Sequence, residues 1–151
     1  IEYARGRGDT KVDNQKAIEW FSKSAMRGNK RAMTKLGLMH LEGRGTPQNA
    51  KEAMRWFQMA ADREDAHAHY ILSNERLNGT HLPHDLKLAY IHMSLAVRNQ
   101  HPSALGKPER LAKMLTPEER REAEAVIDKR TPEDYRRKMQ ENNVKALSLR
   151  R

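Results

Sequence analysis

The sequence predicts an all-α fold: a solenoid of stacked helix pairs, closed at its C-terminal end by capping helices. Three observations predict it. A block of sequence recurs every 36 residues, apolar residues fall at helical spacing inside each copy, and glycines stand where the first helix of each pair has to stop. The recurrence is read in Lys16-Ala17-Ile18-Glu19-Trp20-Phe21, Glu52-Ala53-Met54-Arg55-Trp56-Phe57 and Leu88-Ala89-Tyr90-Ile91-His92-Met93. Ala25, Ala61 and Val97 keep the same offset, as do Ala32, Ala68 and Ala104. Leu36 pairs with Leu72, Gly43 with Gly79, and Pro47 with Pro83.

Each unit reads as two helices. The first is expected over 30–42, where Ala32, Leu36, Met39 and Gly43 share one face. Gly43 and Gly45 end it, because a helix exit needs a positive φ. The second is expected over 50–62, with Ala53, Trp56, Phe57, Ala60 and Ala61 turned inward. Small residues let helices approach closely, and one aromatic per unit fills the gap. A lone pair cannot bury its apolar face, whereas stacked neighbours can. At the N-terminus, Arg5-Gly6-Arg7-Gly8 resembles Glu42-Gly43-Arg44-Gly45 at an offset of 37, so a glycine turn and a loop are expected before Ala17. Ile1 then falls inside a first helix whose upstream half is missing from the sequence as given. The repeats occupy 1–104, with a partial first unit and units at about 30–65 and 66–100. Gly106-Lys107-Pro108 breaks the pattern, and 105–151 is read as capping helices and a basic tail. Thr116-Pro117-Glu118-Glu119 and Thr131-Pro132-Glu133-Asp134 are helix starts, with Thr as N-cap and Pro in the first turn. They predict helices over 117–129 and 132–147, the first burying Ala123, Val126 and Ile127.

Length and composition agree with one domain. The 151 residues include 29 Lys and Arg against 20 Asp and Glu, for a net charge of +9. Only 37% are apolar and 5% aromatic, so the core is thin and built from small side chains. No apolar run is long enough to span a membrane, and no charged-then-apolar leader opens the sequence as given. The chain has no cysteine, which excludes disulfides, thiol catalysis and cysteine-based metal sites.

The chemistry-bearing residues point away from catalysis. His67 and His69 lie two apart, so on a helix they diverge and cannot share a metal. His81 and His84 have no helical partner motif, so the histidines are read as solvated, with no metal and no cofactor. No nucleophile elbow, phosphate loop or dinucleotide fingerprint is present. Glu118, Glu119, Glu122 and Glu124 are interleaved with Arg120 and Arg121, the pattern of a solvated helix face. Arg7-Gly8-Asp9 and Asn78-Gly79-Thr80 match short recognition motifs, but the repeat already places glycines there. The tail carries Arg136, Arg137, Lys138, Lys145, Arg150 and Arg151 against Glu141. Such a helix can bind phosphate backbones, although no aromatic follows Tyr135 to stack on bases.

Ala32, Leu36, Gly37, Gly43, Gly45, Ala53, Trp56, Ala60 and Ala61 together resemble the Sel1-like repeat, a relative of the tetratricopeptide repeat. The resemblance covers about residues 1–104. In the third unit Ser73 replaces the helix glycine, His81 the second loop glycine and His92 the tryptophan. His40 and Arg76 stand where the family has tyrosine, which Tyr3 keeps. The resemblance implies a right-handed superhelix that binds a protein in its concave groove without catalysis. Bacterial proteins with this resemblance include periplasmic regulators, host-contact factors and immunity proteins that neutralise secreted effectors. A basic chain suits an acidic partner among these.

First helices line the concave side of such stacks. Beside the core face of the first helix runs Arg31, Thr34, Leu38 and Leu41. The equivalent stripe 36 residues on is His67, Tyr70, Asn74 and Leu77. These eight are the expected partner-binding residues, with Leu38, Leu41, Tyr70 and Leu77 as apolar anchors and Arg31 and Asn74 giving orientation.

Overall fold

The computed structural model describes residues 2–130 and Glu141, with side chains from residue 13 onward. Apart from Glu141, the expected helix over 132–147 and the basic tail over 136–151 lie outside the described residues. Within the described residues 2–130, seven α-helices follow one another: α1 (Glu2–Met26), α2 (Lys30–Glu42), α3 (Ala50–Asp62), α4 (Ala66–Asn78), α5 (Leu86–Arg98), α6 (Lys107–Ala112) and α7 (Pro117–Lys129). Consecutive helices from α1 to α6 pack together along the chain, and α7 packs against α5. The result is an all-α solenoid. No described helix is long and apolar enough to cross a membrane.

The repeat is kept in backbone hydrogen bonds as well as in sequence. The side chains of Asn29 and Asp65 cap α2 and α4, accepting from the amides of Ala32 and Ala68. The side chains of Asn49 and Asp85 do the same for α3 and α5. Inside each pair, the α2–α3 and α4–α5 turns close when the amides of Asn49 and Asp85 donate to the carbonyls of His40 and Arg76. Between pairs, the amides of Asn29, Asp65 and His101 donate to the carbonyls of Ser24, Ala60 and Ala96. The residue before each is left-handed: Gly28, Glu64 and Gln100, at φ of 91°, 62° and 68°.

The pattern therefore runs one step past the last sequence match. His101 caps a 3-10 turn at Pro102–Ala104. That turn and α6 stand where a further first helix belongs, broken by Gly106 at φ 79°. α7 follows as its second helix, held at its start by Thr116, whose hydroxyl accepts from the Glu119 amide. α7 buries Ala123 and Ile127, but Val126 is 44% exposed. Val126 was expected on the apolar face; it lies about 100° round the helix from Ile127, while Ala123 at i−4 shares Ile127's face.

The core has two parts. Ala32, Met33, Leu36, Phe57 and Leu72 belong to the first, with partly buried Ile18 and Phe21 packed against it. Met93, Leu95, Leu111, Leu115 and Ile127 belong to the second. One departure is at the N-terminus. The expected glycine turn at Gly6 and Gly8 is instead part of a continuous α1. In the complete units that turn closes onto a preceding first helix, through the carbonyls of His40 and Arg76. Arg7-Gly8-Asp9 lies within this helix.

Candidate functional site

α2 and α4 present the two expected stripes. Arg31 and His67 are exposed, one residue into each helix. Leu38 and Leu41 on α2, and Tyr70, Asn74 and Leu77 on α4, are half-buried. Leu38 and Leu41 pack on the first core cluster, and Tyr70 and Leu77 on the second. Thr34 does not belong with them. It is only 3% exposed, and its hydroxyl donates to Asp65 Oδ2 at 2.7 Å. The same oxygen accepts from the Ala68 amide at 3.0 Å, so Thr34 braces the cap of α4 from inside the stack. A short β-branched hydroxyl fits that gap, whereas the larger Tyr70, 36 residues on, is only half-buried.

The α4 stripe is joined by two residues that sequence reasoning missed. His67 Nδ1 and His101 Nε2 are 3.0 Å apart. Their rings are 6° from parallel with centroids 5.3 Å apart, so they meet edge to edge in one plane. Tyr70 stacks on His101 at 4.3 Å and 14°. Lys107 Nζ donates to the Tyr70 hydroxyl at 2.8 Å. That bond, and a second from Asn74, lower the phenol's pKa against the opposing effect of burial. Burial first, and then the charges of His67 and Lys107, hold His101 below the usual imidazole value. A signal for His101 was present: it stands 36 residues after Asp65, which stands 36 after Asn29, so it is the next cap. Nothing in the local sequence marks Lys107.

A second histidine pair is buried beneath. His69 is fully buried and His92 is 6% exposed, so neither is the solvated side chain expected from sequence. His69 Nε2 faces Glu64 Oε2 at 3.1 Å and must carry the proton there. His69 Nδ1 therefore accepts from His92 Nδ1 at 2.9 Å. Glu64 also pairs with Arg130 and accepts from Asn99 Nδ2 at 3.2 Å. Arg130 donates onward to the carbonyl of Ala61 at 2.8 Å. This network ties the α3–α4 turn to α5 and to the residue after α7. Burial is the main reason that the His92 pKa falls to about 3, helped by the positive charges around it. Burial acts to raise the Glu64 pKa, but His69, Arg130 and Asn99 together lower it.

Among the described residues no group of three His, Asp or Glu side chains is placed to hold a metal ion. α2 and α4 offer a half-buried apolar stripe and the exposed ring of His67, with half-buried Tyr70, His101 and Lys107 of α6 beside it.

The Sel1 repeat family matches residues 1–29, 30–65 and 66–101. An uncharacterized protein of Neisseria meningitidis serogroup B is 36% identical over 105 residues, covering 70% of this chain and 21% of that protein. HRD3B of Arabidopsis thaliana, an ERAD-associated E3 ubiquitin-protein ligase component, is 34% identical over 88 residues, covering 58% of this chain and 13% of that protein. The chain thus spans a small part of these curated relatives. Among solved structures, c5321 is a protective antigen present in uropathogenic Escherichia coli strains and displays an SLR fold. It aligns with a TM-score of 0.67 at 27% identity, over 76% of this chain and 25% of its own. A Sel1 repeat protein from Oxalobacter formigenes aligns with a TM-score of 0.57 at 27% identity, over 60% of this chain and 37% of its own.

Proposed function

Because the chain belongs to the Sel1 repeat family, we propose that it works as a non-catalytic scaffold that binds a partner protein along α2 and α4. One observation carries this reading. The same half-exposed stripe recurs on two first helices at the repeat's own offset, as Arg31, Leu38 and Leu41 and then His67, Asn74 and Leu77. Exposed Arg31 and half-buried Tyr70 are of the residue types enriched among interface hot spots, and the leucines beside them help to exclude water. The net charge of +9 favours an acidic partner by steering encounter. The sharper form of the reading is a dedicated inhibitor of an acidic secreted effector.

The test is capture from a nuclease-treated lysate of the source organism, washed at low and then high salt. The expected result is one protein retained through high salt at near-equal stoichiometry. Arg31→Ala with Tyr70→Ala is expected to reduce its retention at least about tenfold while the circular dichroism spectrum and melting remain those of a folded chain. Material that is lost with nuclease and salt would instead assign binding to the basic C-terminal segment and to nucleic acid.

A further inference from the structure

We propose that His67, Tyr70 and Lys107 form an anchor for a carboxylate side chain, an Asp or Glu of the partner. The inference rests on the reading of α2 and α4 as the binding face and gives that face its chemistry.

The protonation pattern follows from the geometry. His101 Nδ1 accepts from the Ser103 amide at 3.2 Å, as the cap of its turn. The proton of neutral His101 is therefore on Nε2 and is donated to His67 Nδ1. That leaves His67 Nε2 carrying its N–H, on an exposed side chain. Tyr70 lies under His101 and holds Lys107 through its hydroxyl, which uses one of the three ammonium protons. The free groups of the cluster are thus donors.

The nearby acid is already committed. Asp65 is buried and bonded to Thr34 and to the Ala68 amide. Among the described residues Lys107 makes no ion pair, whereas Lys87 is paired with Glu122. The His67 Nε2–H and the Lys107 ammonium are both donors of the kind a carboxylate accepts from.

The test uses the full chain and a fluorescein-labelled, N-acetylated peptide of alternating Asp and Glu, with its Asn/Gln counterpart as control. Fluorescence anisotropy gives affinity, and imidazole 15N shifts of His67 give location. The acidic peptide is expected to bind about tenfold more tightly than the amide peptide and to shift the His67 Nε2 resonance. Lys107→Gln is expected to weaken binding at least about fivefold. Tyr70→Phe keeps the ring, releases Lys107 from the hydroxyl, and is expected to weaken binding by a smaller factor. Lys51→Gln, an exposed lysine on α3, serves as the control for general charge and should change affinity less than about twofold.

Equal losses for Lys51→Gln and Lys107→Gln, or no shift at His67, would overturn the anchor. Displacement of the peptide by an equal concentration of inorganic phosphate would overturn the choice of carboxylate. The two readings fail separately. A partner retained from lysate equally by the wild type and Lys107→Gln removes the anchor and leaves the scaffold. No retained partner removes the scaffold whatever the peptide does.

Discussion

Lowering the pH from 7 to 5 is expected to weaken the folded chain by about 2 kcal/mol through His92, and His92→Gln is expected to abolish that contribution. In the unfolded chain His92 takes up a proton near its ordinary value of 6.5, while in the fold it resists until about 3. Between those values the unfolded state binds more protons, so stability falls as pH falls. The contribution is complete above pH 6.5 and gone at about 3, which puts its full size on the order of 5 kcal/mol. Burial is the main cause, and His69, Arg130 and Arg76 add to it while Glu64 opposes it. Glu64, held low by His69, Arg130 and Asn99 against its burial, adds its own acid loss below its ordinary 4.5. The window from pH 7 to 5 thus isolates the histidines. His101 is also held low and leaves a residual slope. Glutamine at 92 can still donate to His69 Nδ1, so the variant keeps the hydrogen bond and loses the titration. Urea midpoints at the two pH values measure the effect; an unchanged pH slope in His92→Gln would place the acid sensitivity elsewhere.

The second large effect is expected at Gly37. A Cβ there would lie 2.6 Å and 2.8 Å from ring carbons of Phe57 and 3.2 Å from the Ala53 carbonyl oxygen. Phe57 is fully buried, so its ring has no room to move. Gly37→Ser is expected to cost about 2–3 kcal/mol by overpacking, which lowers Tm by roughly 5–10 °C for a chain of this size. The third unit shows how the conflict is resolved. Ser73 stands at the glycine position, Met93 at the phenylalanine position and Ala89 at the Ala53 position. Ser73 Oγ donates to the Ala89 carbonyl at 2.7 Å, and the flexible Met93 leaves space for the serine. Gly37→Ser with Phe57→Met should therefore cost less than the two single changes added, by about 1–2 kcal/mol. Strict additivity in a double-mutant cycle would show that the third unit tolerates Ser73 for another reason.

These two sites show what was legible in the sequence. The helices at 30–42 and 50–62 were legible because both carry the repeat's apolar spacing and a side-chain cap, and the first also carries its own glycine stop. The start at Thr116 was legible for the same local reason. The Gly37 position could be read as close packing from the repeat alone. The step beyond Ala104 was hidden because Glu64 and Gln100 adopt the left-handed φ that Gly28 adopts, and neither residue type announces it. The buried histidine pair was hidden for a different reason. His69 and His92 stand where the second unit has Met33 and Trp56, but only their joint departure is informative. Seeing it requires knowing that those two positions face each other. Trp20, Trp56 and His92 share one position and become progressively buried along the stack, from 65% exposed, through half-buried, to 6%. Position in the stack, which local pattern does not encode, sets that gradient.

Of the candidate site, seven of the eight residues keep some exposure and Thr34 does not. Thr34 was indistinguishable in sequence because it keeps the same register as Tyr70; its burial follows from Asp65, which lies beyond its own helix. The part of the surface contributed by His101 and Lys107 comes from the last residue of the family match and from beyond it.

The most direct test of the scaffold reading is site-specific photocrosslinking in the source organism. A benzoylphenylalanine replaces Leu41, Leu77 or, as a control, the exposed Arg55 on α3. The reading predicts one and the same protein crosslinked from Leu41 and Leu77, and none from Arg55. Crosslinking from Arg55 with none from Leu41 or Leu77 would contradict it, because the partner would then sit on the second helices.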